Sequence, residues 1–216
     1  MDKTDKKNMK RELKGRTPEQ QKVIKYFYGV SGCLKKGMKD EEYESMVMAR
    51  VKGTDFKQKA LDKLGVDESQ VNEVAPIHFE GYWLPDDEKD KNKVRVRQGK
   101  DKIRTSAYQI SWIFFSSTQI YVYQYTFHMD EEGKRERTEE YFYKDVTNFS
   151  TVSSTVETKI SKVNCRGNIT DKRINVDKNE FAIIVPGDKF SCAMDQNEYT
   201  ERVIQGMKAK LREKKG

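Results

Sequence analysis

Hydrophobic positions along this chain recur at helical spacing up to about residue 75 and at strand spacing from there almost to the end. The first start signal is Thr17-Pro18-Glu19-Gln20, an N-cap threonine, a proline at the first helical position and a glutamine three residues after the cap. It predicts a helix to about Tyr28 that buries Val23, Ile24, Phe27 and Tyr28, after which Gly29, Gly32 and Gly37 break the chain. A second helix fits Asp40 to Lys52, with Tyr43, Met46, Val47 and Val51 on one face. A third runs from an N-cap at Thr54 to near Gly65, burying Phe56, Ala60, Leu61 and Leu64, and a short helical turn follows from Asp67 with Gln70 as its capping partner.

At Ala75-Pro76 the period changes to two, because a residue before proline is pushed out of the helical region and Ile77, Phe79, Tyr82 and Trp83 favour strands. Lys93 to Arg97 alternates, and Ser106 to Met129 reads as two strands around a Ser116–Gln119 turn. Further strands fit Thr138–Tyr143, Phe149–Ser154, Glu157–Asn164, Asn168–Val176, Phe181–Val185 and Lys189–Ala193. Asp195 with Glu198 opens a closing helix whose Tyr199, Val203, Ile204, Met207 and Leu211 form one stripe. The expectation is an α+β protein: a helical unit over 17–75, then an antiparallel β-barrel of about seven strands over 76–216, capped by the C-terminal helix.

Composition supports a β-rich core, since 29 Val and Ile stand against 6 Leu. The net charge of +7 is unevenly placed. Residues 1–16 carry seven basic and three acidic side chains and 202–216 six and one, so the 185 residues between are slightly acidic. The first 16 read as a flexible basic arm, and the charge argues little for a nucleic-acid groove in the body of the chain. No apolar run is long enough to cross a bilayer and no signal-type segment opens the chain, so a cytoplasmic protein is expected. Cys33, Cys165 and Cys192 are widely spaced, with only two histidines present. Reduced, partly buried thiols are expected, and no metal or other cofactor.

Consecutive antiparallel strands closed by one amphipathic helix resemble the pleckstrin-homology (PH) superfold. From Ser111 onward the chain is similar to bacterial PH-like and GRAM-like modules: Trp112-Ile-Phe-Phe115, then Gln119-Ile-Tyr-Val-Tyr123, Tyr141-Phe-Tyr-Lys-Asp-Val146, Phe181-Ala-Ile-Ile-Val185 and the helix. The segment from Ala60 to Val74, followed by Pro76 and Phe79-Glu-Gly-Tyr82, is similar to uncharacterised bacterial proteins that carry such a module. The resemblance covers roughly residues 77–214 and implies a binding module without bringing a known activity.

Lys93, Arg95 and Arg97 leave one face of a strand together, and Lys100, Lys102 and Arg104 continue the basic stretch. In type and spacing Lys93, Arg95, Arg97 and Lys100 resemble the cluster with which eukaryotic PH domains grip phosphoinositide headgroups, and all six are the candidate residues for binding an anionic group. The competing reading is a solvated strand face, with lysines deterring edge-to-edge pairing. Tyr121, Tyr123 and Tyr125 with Tyr141 and Tyr143 fit either core packing or a stacking platform. His78 and His128 sit inside strand patterns without a nucleophile nearby, and no phosphate loop or metalloprotease motif occurs. Asp130, Glu131 and Glu132 are interleaved with basic residues, as a salt-laced hairpin would be. The expected function is a non-enzymatic binding or scaffolding module for a protein partner. The alternative is an adaptor for anionic lipid or nucleic acid through the basic termini and the 93–104 stretch.

Overall fold

The Thr17 hydroxyl accepts from the Gln20 N–H (3.2 Å) while the Gln20 side chain accepts from the Thr17 N–H (3.0 Å), satisfying both donors where the first helix begins. In this computed structural model, which describes residues 10–29, 37–86, 93–99, 102–163 and 169–215, that helix is α1 (Pro18–Phe27). Helix α2 (Asp40–Lys52) has no side-chain cap. It carries Asp40, Glu41 and Glu42 in its first turn and Arg50 and Lys52 in its last, the arrangement the helix dipole favours. Helix α3 (Phe56–Leu64) is capped by Asp55 rather than the expected Thr54, because the Asp55 carboxylate accepts from the Gln58 N–H at 3.0 Å. It stops at Gly65, whose φ of 67° suits a residue without a side chain.

Nine strands follow among the described residues: β1 (Val74–Tyr82), β2 (Val96–Gln98), β3 (Ile103–Thr105), β4 (Ala107–Phe115), β5 (Gln119–His128), β6 (Lys134–Phe142), β7 (Asn148–Val163), β8 (Ile169–Val185) and β9 (Asp188–Ala193). Helix α4 (Glu198–Lys215) closes the chain. All strand pairs are antiparallel, in three separate sheets ordered β1-β4-β5-β6, β2-β3 and β7-β8-β9. The expected single closed barrel is therefore replaced by sheets of four, two and three strands.

Four of the expected short strands fuse into two long ones. Ser153-Ser154-Thr155 and Asp177-Lys178-Asn179 look like turn residues, yet they face each other across the β7–β8 ladder without a break in register. Ser153 Oγ donates to Asn179 (2.7 Å) and Thr155 Oγ1 to Asp177 (2.8 Å), so the polar side chains tie the two strands together. Lys178 is nearly buried, held by Asp86 (2.6 Å) and Glu180 (3.0 Å).

The four-stranded sheet is buried on both faces. One face joins the three-stranded sheet and α4 in a core where Phe79 stacks on Phe181 (centroids 4.8 Å apart) among Ile113, Val122, Phe149 and Met207. The other lies under the helical unit, with Phe27, Tyr43, Val47 and Leu61 against Ile110, Phe114, Tyr123 and Phe127. The tyrosine row is accordingly divided between cores: Tyr121, Tyr123 and Tyr125 pack under the helices, and Tyr141 and Tyr143 line the inter-sheet core. A third cluster of Leu84, Val94, Val96, Ile160 and Val176 seats the β2–β3 hairpin on the far half of the β7–β8 ribbon.

Of the basic arm, residues 1–9 lie outside the described residues. In the rest, residues 10–13 form a turn of helix, Glu12 accepts from the Tyr28 hydroxyl (2.6 Å), and Arg16 pairs with Glu131 (3.2 Å). Phe181 is fully buried between the two sheets. Phe181→Ala is expected to lower the unfolding free energy by about 3–5 kcal/mol, and Thr17→Ala, which removes only a cap, by about 1 kcal/mol. Urea unfolding midpoints check both values.

Candidate functional site

The basic stretch forms the inserted β2–β3 hairpin, and its register places Arg97 directly opposite Arg104. Two guanidinium groups facing each other need an anion between them, and α2 supplies it. Asp40 and Glu44, one helical turn apart, point from α2 at the hairpin. Arg97 Nε lies 3.4 Å and Arg104 NH1 3.7 Å from Asp40, while Arg104 NH2 (3.0 Å) and Lys102 Nζ (2.6 Å) reach Glu44. Arg97 also donates to the Tyr26 carbonyl (2.5 Å) and stacks 4.4 Å above the Tyr26 ring, whose hydroxyl donates to Asp40 at 2.9 Å. Gly99 is required here, because a Cβ would collide with the Arg104 guanidinium and come within 2.7 Å of Asp40 Oδ2. The Arg104 side chain is only 3% exposed. Burial works against the Glu44 carboxylate, but hydrogen bonds from Lys102 and Arg104 outweigh it and hold its pKa below the ordinary value.

Arg95, two residues before Arg97, is engaged in the same way. Its Nε lies 2.8 Å from Asp130, its NH2 3.1 Å from Glu12, and its NH1 donates to the Tyr28 hydroxyl at 3.3 Å. Burial nevertheless raises the pKa of Asp130, with the Arg95 charge opposing it. Lys93 sits exposed at the turn before β2, and Lys100 lies outside the described residues. Arg97 lies in β2 and Arg95 just before it, and both sides of this segment are covered: the arginines meet carboxylates, while Val94 and Val96 are buried against the ribbon. Arg95, Arg97, Lys102 and Arg104 thus meet carboxylates of the chain itself and fasten the hairpin to the helical unit. The sequence signal that was available is the i, i+4 pair Asp40 and Glu44, read with opposite charge on a hairpin.

Two clefts open along β7, one beside the hairpin and one at the far end of the strand. The larger, about 1140 Å³, lies between the end of α1, the arm, β2 and the far half of the β7–β8 ribbon, and its walls include Arg11, Glu12, Tyr28, Arg95, Lys159 and Arg173. The smaller, about 420 Å³, lies where the start of β7 meets the last turns of α4, between Thr147, Asn148, Lys208, Leu211, Arg212 and Lys215. Lys210 and Lys214 of the same helix turn the other way and pair with Glu73 (2.9 and 3.0 Å), holding α4 against the segment before β1.

His78 lies flat on Trp112, with ring centroids 5.0 Å apart, and His128 Nδ1 is 3.9 Å from Glu131. Cys192 is a free, fully buried thiol whose pKa burial pushes up to about 12, while Cys33 and Cys165 lie outside the described residues. Among the described residues no three His, Cys, Asp or Glu side chains are grouped to hold a metal ion, and no helix is long and apolar enough to cross a membrane. No protein-family model, curated protein or solved structure matches the chain.

Removing Arg104 leaves Glu44 with Lys102, and Asp40 with Arg97 and the Tyr26 hydroxyl. Arg104→Met is expected to cost about 3–5 kcal/mol, against a change within about 0.5 kcal/mol for Lys134→Met on the exposed hairpin; denaturant unfolding checks the contrast. A pH dependence follows from Glu80 and Asp195, whose pKa values burial raises, with the Asp195 charge adding to the effect at Glu80 and His78 and Tyr108 opposing it. A carboxyl with a raised folded pKa binds its proton more tightly when folded. Its contribution to stability therefore grows as the pH falls from the raised value towards the ordinary carboxylate range. Glu80→Gln is expected to raise the urea midpoint at neutral pH and to flatten its change between neutral and mildly acidic pH.

Proposed function

We propose that this protein is a non-enzymatic binding module that takes an extended segment of a partner protein along the edge of β7, beside α4. The observation that carries this reading is the open edge of β7. Strand β7 is paired on one side only, with β8, and its first nine residues, Asn148 to Val156, contain no charged side chain. The Val163 N–H donates outward to the Tyr28 carbonyl (2.8 Å). With the register unbroken along the strand, residues of the same parity, Ser153 included, turn their peptide groups to the open side. Among the described residues no other backbone bond reaches that side. Such an edge accepts a further strand, and the cleft at its start supplies a pocket rimmed by Lys208, Arg212 and Lys215 for side-chain recognition.

The order of elements also supports the likeness to the PH superfold. A four-stranded antiparallel sheet precedes a three-stranded one and a closing helix, and the β2–β3 pair is inserted after the first strand. A protein partner is favoured over an anionic surface because the cations of the 93–104 stretch that meet carboxylates are already neutralised within the chain.

Affinity capture with the tagged full chain, washed at low and high salt, tests the proposal against Lys208→Glu/Arg212→Glu and Ser153→Pro. A discrete protein kept at high salt by the unaltered chain and lost with either variant is the expected result. Retention of nucleic acid or lipid at low salt alone would overturn it, since phosphate-driven binding collapses with salt.

A further inference from the structure

The large cleft beside α1 already holds a ligand-like group from the chain itself. A single oxygen of Glu12, Oε2, accepts from the Tyr28 hydroxyl at 2.6 Å and pairs with Arg95 NH2 at 3.1 Å. Arg95 does not depend on Glu12 for its position, because Asp130, with a side chain only 5% exposed, fixes its Nε at 2.8 Å. The Tyr28 hydroxyl is a dependable donor, since burial and the Glu12 hydrogen bond push its pKa up to about 12. The receptor half is thus built into the body of the protein, on the end of α1 and the start of the β2–β3 hairpin.

The occupant half is only lightly held. Glu12 is itself 35% exposed, and Gly15, at φ 77° with nothing within 4 Å of a Cβ position, lies between it and α1. Basic residues flank it in sequence, Lys10 and Arg11 before and Lys14 and Arg16 after. Around it, Arg16 meets Glu131 at 3.2 Å, and in the cleft wall Glu157 and Asp171 form exposed ion pairs with Arg173 (2.8 Å) and Lys159 (2.5 Å).

We infer that this cleft is a second peptide-binding site, which reads one carboxylate set between basic residues, and that the N-terminal arm is its built-in competitor through Glu12. A partner segment of that chemistry would enter by displacing the arm. The site lies against the far half of β7, away from the groove beside α4, and does not rest on the reading of that groove. A tethered occupant competes at a local concentration in the millimolar range, so an external segment binds well only when the arm's carboxylate is removed or outcompeted.

The test uses the full chain and a fluorescent synthetic peptide of residues 8–16. Fluorescence anisotropy is expected to show binding to the Glu12→Gln chain tighter than to the unaltered chain by about tenfold or more. The gain should be lost when the peptide carries Glu12→Gln or the chain also carries Tyr28→Phe, and kept in Lys208→Glu/Arg212→Glu, which alters only the β7 groove. In the unaltered chain, excess peptide should speed amide hydrogen exchange at residues 10–13, a readout that needs no variant to fold. Equal binding to both chains, binding indifferent to the peptide's carboxylate, or unchanged exchange under excess peptide would overturn the inference.

Discussion

The four-stranded sheet has apolar side chains on both faces, and the three-stranded sheet and helices α1 to α4 are placed by the need to cover one of them. The three-stranded sheet and α4 cover the face that carries Phe79, Ile113 and Val122, while α1, α2 and α3 cover the face that carries Ile110, Phe114 and Tyr123. An antiparallel sheet commonly leaves one face to water. Here neither half of the molecule has a complete core without this shared layer, so the helical unit and the β region over 76–216 are joined through it.

That dependence explains why the inserted hairpin is so heavily charged yet so little exposed. It lies across the junction of the two halves, with apolar Val96 turned to the ribbon core and Arg97 and Arg104 turned to α2. Buried ion pairs of this kind contribute modestly to net stability, because desolvation offsets most of the attraction. What they do enforce is position. A hairpin shifted by one residue would carry its arginines to the apolar side and strand both Asp40 and Glu44.

Much of this was legible in the sequence. The capping box at Thr17 and Gln20, the stripe of Tyr43 and Val47, the change of period at Pro76 and the Ser116–Gln119 turn each rest on local chemistry, which is why they appear where the pattern puts them. The alternation of Lys93, Arg95 and Arg97 is equally local, but the strand it implies is displaced: β2 takes only Val96–Gln98, and Lys93 stands in a turn. The partner of that face is not local: Asp40 and Glu44 lie more than fifty residues earlier, and nothing in the pattern says that α2 crosses there. The fusion of β7 and of β8 was hidden for a related reason. Ser153, Thr155, Asp177 and Asn179 have turn-forming side chains in isolation and become cross-strand partners only once the two strands are aligned. The clefts and the lodging of Glu12 against Arg95 depend on three segments meeting, which no single stretch of sequence records.

The β7–β8 ribbon has a mechanical consequence. At about 3.4 Å per residue the 16 residues of β7 span about 50 Å, from the groove beside α4 to the wall of the arm cleft. Its buried side chains change face along the way, from Phe149 and Phe181 near the base to Ile160 and Val176 towards the tip. A ribbon seated in two cores on opposite sides cannot slide by one residue without expelling both sets, and a slip of two would misplace every cross-strand pair between them. It therefore acts as a ruler, fixing the spacing and the relative rotation of whatever docks at its two ends.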